Sequence, residues 1–169
     1  MRMPPILMNF FLGTLVLAQP SPTERLQNLL TNLLIIDTHI DTPGYVADEG
    51  YQLVEEHHYY ETDIPRLRRG RVGAVFFGVY VPPQDFPQPL WVTRTLEWID
   101  ALHEEVRRNP KDLEMASTAD DIVRIRRAGK VAALLGLEGG QLMSDSLPVL
   151  RGLLPVGHSL HDPDAFQNQ

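Results

Sequence analysis

A histidine and an aspartate two residues apart, His39-Ile40-Asp41, follow the short apolar run Leu33-Leu34-Ile35-Ile36. Side chains at i and i+2 leave an extended chain on the same side, so this imidazole and this carboxylate can reach one ion. Zn²⁺ accepts His nitrogen and carboxylate oxygen at ~2.0–2.2 Å, so the residue types suit it. A His-x-Asp tripeptide is a weak signal alone, and a structural or surface His–Asp pair accounts for it as well. Glu138 adds to it, because it ends the apolar run Val131–Leu137 and precedes Gly139-Gly140, where backbone or ligand can come close. At a strand end in a barrel its carboxylate can bridge two metal ions, one oxygen to each. The plainer alternative is a hydrated rim residue capping the next loop, and these three residues alone leave both open.

Groups that far apart in sequence meet only if the chain between them positions them. Glu24 to Leu33 carries Leu26, Leu29, Leu30 and Leu33 at helical spacing. Three apolar runs follow, ending at Ile36, Val81 and Leu137, each reading as a strand buried on both faces. The stretch from Thr42 to Thr62 is polar and aromatic and reads as a long loop. Trp91, Leu96, Ile99, Leu102 and Val106 mark an amphipathic helix over 90–108, ending before Pro110. A short helix is expected after Thr118, with Asp120 and Asp121 in its first turn and Gly129 closing it. Another begins within 144–153. Strands alternating with helices indicate an α/β protein with a parallel sheet. In barrels of this kind functional groups sit just past the C-terminal ends of strands, the places held here by Asp37 to Asp41, the Tyr80 region and Glu138.

The totals narrow the function. At 169 residues the chain can bury one sizeable core but is short for an eight-stranded barrel, which needs ~250 residues. With 43% hydrophobic and 22% charged residues it is globular, and a net charge of −7 leaves no surplus of Lys and Arg for a nucleic-acid partner. The absence of cysteine excludes disulfides, thiolate metal sites and a Cys nucleophile. Arg2, a mostly apolar stretch from Ile6 to Ala18 and the small-residue site Val16-Leu17-Ala18 read as a cleaved signal peptide over 1–18, hence export to a periplasmic or extracellular space. That run is too short to serve as a transmembrane segment.

Three ordered stretches resemble the membrane (renal-type) dipeptidases, a zinc peptidase family. Ile36-Asp37-Thr38-His39-Ile40-Asp41-Thr42-Pro43 looks like the family's opening metal motif. Thr62-Asp63-Ile64-Pro65-Arg66-Leu67 through Gly73-Ala74 is similar to the stretch leading into its second strand. Leu137-Glu138-Gly139-Gly140-Gln141, followed by Ser146 to Arg151, resembles the third. The resemblance covers residues 30–153. It implies the N-terminal part of a (β/α)8 TIM-type metallohydrolase barrel, incomplete at about three strands. His39 and Asp41 would ligate a first zinc and Glu138 would bridge it to a second. The implied reaction is hydrolysis of a dipeptide's peptide bond by a water between the metals. Two His ligands of the second zinc, a substrate-binding His and a late Asp belong to the family pattern beyond Arg151, so catalytic residues are not assigned here. A homodimer is a further implication. Other barrel amidohydrolases usually open with His-x-His, and Asp41 stands against them.

The likeness is expected to stop after 153, leaving 154–169 as a loose polar tail in which His158, His161, Asp162 and Asp164 are not read as ligands. With allowed codons the tail back-translates into a string whose next frame reads Tyr-Arg-Leu-Gly-Ile-Arg-Tyr-Met-Thr-Leu-Thr-His-Ser-Arg-Thr. That is similar to the family's next strand, its His falling at the place of Ala165. A frameshift is the expectation, and with it a truncated, catalytically inactive product binding at most one metal ion as the alternative to a working enzyme. Elsewhere, His57 and His58 are expected to be solvated or at the site mouth. His103 should lie on the surface, and the Arg66–Arg71 run should form a solvated turn. Trp91 and Trp98 are expected to be core residues, not a ligand platform.

Overall fold

The computed structural model describes residues 19–60 and 62–159, so the expected signal segment lies outside the described residues. The described backbone divides into two units, one ending at Asn32 and the other beginning at Leu33. In the first, helix α1 spans Pro22–Asn32. Its first turn is closed reciprocally: Ser21 Oγ accepts from the Glu24 N–H (3.2 Å), and Glu24 Oε2 accepts from the Ser21 N–H (2.6 Å).

The second unit runs β1 (Ile35–Ile40), α2 (Pro43–Glu49), α3 (Ile64–Arg69), β2 (Val72–Val79), α4 (Trp91–Arg108), β3 (Leu113–Met115), α5 (Ala119–Arg127), β4 (Val131–Leu137) and α6 (Leu147–Ser159). The strands form one parallel sheet in the order β1-β2-β4-β3. The three expected strands are present, and the sheet is the α/β architecture expected of an incomplete barrel. β1 runs further than its apolar stretch, because the β-branched Thr38 and Ile40 continue it past Asp37. His39 therefore stands on the strand itself and only Asp41 lies beyond it.

Strand order dictates where the helices go. From β1 to β2, and from β2 to β3, the chain advances in one direction across the sheet, but from β3 to β4 it steps back. Right-handed crossovers then put α5 on the face opposite α3 and α4. Packing follows: Val75, Phe77 and Ala133 meet Leu102 and Val106 of α4 and Ile64 and Leu67 of α3. Ala74 and Ala132, on alternate positions, make room for Ile122 and Ile125 of α5. Capping secures α5, where Thr118 Oγ1 accepts from the Asp121 N–H and the Asp121 carboxylate accepts from the Thr118 N–H, both at 3.1 Å.

Several expectations are corrected. The stretch 42–62 is not all loop, since Pro43 starts α2 and Gly50, at φ 68°, ends it. The Arg66–Arg71 run is not a solvated turn: most of it is α3, capped by the fully buried Asp63, whose carboxylate accepts from the Arg66 N–H and from its guanidinium, both at 2.7 Å. β3 escaped notice because three residues are too few to show a pattern. His103 is buried, at 6% exposure, on the inner face of α4. Leu147 starts α6, and its backbone continues to Ser159, so 154–159 is helical rather than a loose tail. The rest of that stretch lies outside the described residues.

Candidate metal centre

At the C-terminal ends of β1 and β4, His39 Nε2 stands 3.0 Å from Asp41 Oδ1 and 2.9 Å from Glu138 Oε2. Among the described residues these three form a group able to hold a metal ion, with one donor atom from each lying within 4.8 Å of the others. Each side chain is about half exposed or more (His39 50%, Asp41 68%, Glu138 47%), so the centre is open to solvent.

Local structure explains the convergence. Gly78 of β2, paired with Gly136 of β4, raises no side chain against His39 and Asp41. A Cβ at Gly78 would lie 2.8 Å from His39 Cε1, closer than a carbon can stand, and in tight contact with Asp41 Oδ1 at 3.2 Å. The Glu138 N–H donates to Val79 O (3.0 Å), fixing the backbone of Glu138 to β2, and Gly139 then turns the chain with φ 90°. Asp37 Oδ1 accepts from the His39 N–H at 3.1 Å.

The donor set fits zinc. Four donors at ~2.0–2.1 Å around a tetrahedral ion stand roughly 3.3 Å from one another. The observed 2.9 and 3.0 Å need open by only a few tenths of an ångström. One imidazole and two carboxylates also match the mixed nitrogen and oxygen ligation of zinc rather than the all-oxygen shells of Ca²⁺ and Mg²⁺.

A cavity of about 290 Å³ opens beside the donors, bounded by Asp37, His39, Asp41, Tyr45, Tyr60 and Thr62. Tyr60 and Tyr45 stack with ring centroids 3.8 Å apart. Tyr60 holds a left-handed backbone, φ 57°, which a bulky residue adopts only under constraint. The constraint is visible: Arg66 Nη1 donates to Tyr60 O at 2.5 Å, and the same guanidinium is anchored on buried Asp63. The Glu49 carboxylate, which accepts the phenol hydrogen at 2.8 Å, together with burial pushes Tyr60 up to about 12, so it remains a neutral donor. Burial opposes ionisation of Asp63, but the N–H groups of Arg66 and His57 and the Arg66 guanidinium outweigh it and hold its carboxyl below the usual range. His57 stacks on Tyr51 (4.0 Å) and its Nε2 is bonded to Gln52 O, which makes it part of this wall's support, whereas His58 is exposed. The two wall tyrosines were missed from sequence. Tyr45 has a local signal, since α2, which carries it, follows the His-x-Asp strand directly.

Parallel strands with a His, an Asp and a Glu gathered at their C-terminal ends are the layout of a metal-dependent barrel hydrolase. The membrane dipeptidase family (peptidase family M19) matches residues 23–159, and the chain belongs to it. The dipeptidase ataJ of Aspergillus terreus is 33% identical over 146 residues, covering 79% of this chain and 35% of that relative. Among solved structures, the probable dipeptidase PvdM from Pseudomonas aeruginosa superposes with a TM-score of 0.69 at 20% identity, over 81% of this chain and 36% of that one. A metallopeptidase from Rhodobacter sphaeroides, liganded with a phosphinate mimic of the dipeptide L-Ala-D-Ala, gives 0.57 at 18% identity, over 72% and 43%. The chain thus spans about a third of the length of the curated relatives it matches. No helix among the described residues is long and apolar enough to cross a membrane.

Proposed function

We propose that this chain carries the first metal half-site of a zinc-dependent dipeptidase, with His39, Asp41 and Glu138 as the protein ligands. The observation behind this is the meeting of one nitrogen and two carboxylate oxygens at the strand ends of a chain belonging to a dipeptidase family. Bound zinc supplies Lewis-acid polarisation of the peptide carbonyl and lowers the pKa of an attacking water. His39 holds its ring in place through the pleat of β1 and the gap at Gly78. Glu138 turns one carboxylate oxygen toward His39, which leaves the other for a second cation. Tyr45 and Tyr60 wall the adjoining cavity, sized for a small substrate. The export reading and the homodimer stand as parts of this proposal.

A second reading keeps the metal and drops the reaction: a product that binds one ion weakly and turns nothing over. It draws on the openness of the centre and on the single ligand group among the described residues. Zinc titration by calorimetry beside a dipeptide-hydrolysis assay separates the two. Turnover that rises with zinc supports the enzyme. Saturation at one zinc without turnover supports the second reading, and no zinc binding defeats both. The frame reading is tested by sequencing the gene across the codons for Arg151 to Leu160 and beyond.

A further inference from the structure

A second cavity, of about 350 Å³, adjoins the metal centre on the side of Gly78 and shares Asp41 with it. Aromatic rings supply much of its wall, from Tyr80 just past β2, Phe86 on the following turn and Trp98 of α4. Carboxylates complete it: Asp48 and Glu49 from the end of α2, and Asp85. One cation of the chain is already accommodated at this wall. The Arg94 guanidinium lies 4.9 Å from the Phe86 ring centre and 6.0 Å from that of Trp98, and it pairs with Asp48 and Glu97. Arg94 thereby neutralises Asp48. Glu49 accepts from the uncharged Tyr60 phenol, and Asp85 has no side-chain partner among the described residues, so neither is paired with a cation there. A second observation is independent of charge. Trp98 is only 7% exposed and is packed with Val79, Val81 and Ile99, so it offers the cavity a ring held in a fixed position.

We infer that this cavity is a specificity pocket for a basic substrate residue, one whose aliphatic stem lies along the rings while its ammonium or guanidinium group meets Glu49 and Asp85. The inference rests on the proposed dipeptidase reading for the substrate's presence at the metal. It goes beyond that reading in naming the side chain selected. Flat aromatic faces favour cations, and two carboxylates of like sign favour them further. An acidic side chain is repelled from the same wall.

The test is direct binding, with no turnover required. L-lysinamide and L-norleucinamide differ in the terminal ammonium, and each is titrated into the full chain with zinc present while tryptophan fluorescence is recorded. Lysinamide is expected to bind about tenfold tighter, as two exposed carboxylates and a ring allow, with the preference shrinking as salt is raised. The double variant Glu49→Gln/Asp85→Asn should bring the ratio below about threefold, while Asp100→Asn, on the outer face of α4, should leave it unchanged. Because Glu49 also holds Tyr60, the single variant Asp85→Asn and a circular dichroism spectrum accompany the pair. Asp85→Asn alone should at least halve the preference in a chain of unaltered fold. Equal affinity for the two amides overturns the inference, as does a preference that survives the double variant. The dipeptidase reading fails separately: if zinc does not bind but lysinamide is still preferred, the pocket stands and the metal centre falls.

Discussion

With no Cβ at Gly78, the His39 ring can approach β2 and meet both carboxylates. Each of the three donors is therefore placed by backbone features, and each should matter to metal affinity in its own right. Glu138→Gln keeps the shape and removes the charge, and zinc affinity by calorimetry should fall by more than about tenfold, because altering even the partners of metal ligands costs 10–100-fold. Asp63 tests the wall rather than the ligands. Asp63→Ala strands the Arg66 guanidinium and two N–H groups, and denaturant unfolding should show a loss of about 3 kcal/mol, the low end for breaking a buried pair because Arg66 is 28% exposed. A variant as stable as the parent would show that the anchor is not needed. The strained Tyr60 should relax in the same variant, which the Tyr45–Tyr60 stacking contact would report as altered tyrosine chemical shifts.

Among the elements, α5 shows most plainly how local chemistry stabilises a packed helix. Thr118→Ala removes the acceptor for the Asp121 N–H and should cost about 1 kcal/mol. The Thr118 hydroxyl and the Arg124 guanidinium, with neighbouring backbone N–H groups, lower Asp121 to about 2. Its folded value lies below the unfolded one of ~3.9, so its contribution is present above pH 4 and is lost as pH falls toward 2. A melting-temperature series over that window should flatten in Asp121→Asn. This cap was legible in sequence, as were α4 and the three longer strands, because each rests on a period or a punctuating residue repeated over many positions. What was not legible lacked such repetition: the three residues of β3, the six residues of α3, and the burial of His103 among charged neighbours. The site divides in the same way. His39, Asp41 and Glu138 could be named from strand ends, whereas Tyr45 and Tyr60 meet only through the left-handed kink at Tyr60 and the Arg66 anchor, contacts that no spacing announces.

For the molecule as a whole, the sheet's outer boundaries dominate. β3 covers only Val131–Ala133 of β4, so Leu134–Leu137 has no strand on that side among the described residues, and Leu34, Ile36 and Leu137 are 37–40% exposed. An unpaired edge beside apolar side chains invites pairing with another chain. Sedimentation velocity of this chain should show association that grows with concentration, and a single monomer species across the range would count against that account. The strand order carries a consequence of timing as well. Of the four strands among the described residues β4 is synthesised after the others, yet it lies between β2 and β3. Until residue 137 is made, the emerging polypeptide can build no more than the β1–β2 pair, which is too small to persist alone. The segments from α4 to α5 must wait, unseated, for a strand that follows them. Assembly is thereby delayed to one late event, and the nascent chain is at its most vulnerable to proteases and self-association just before it.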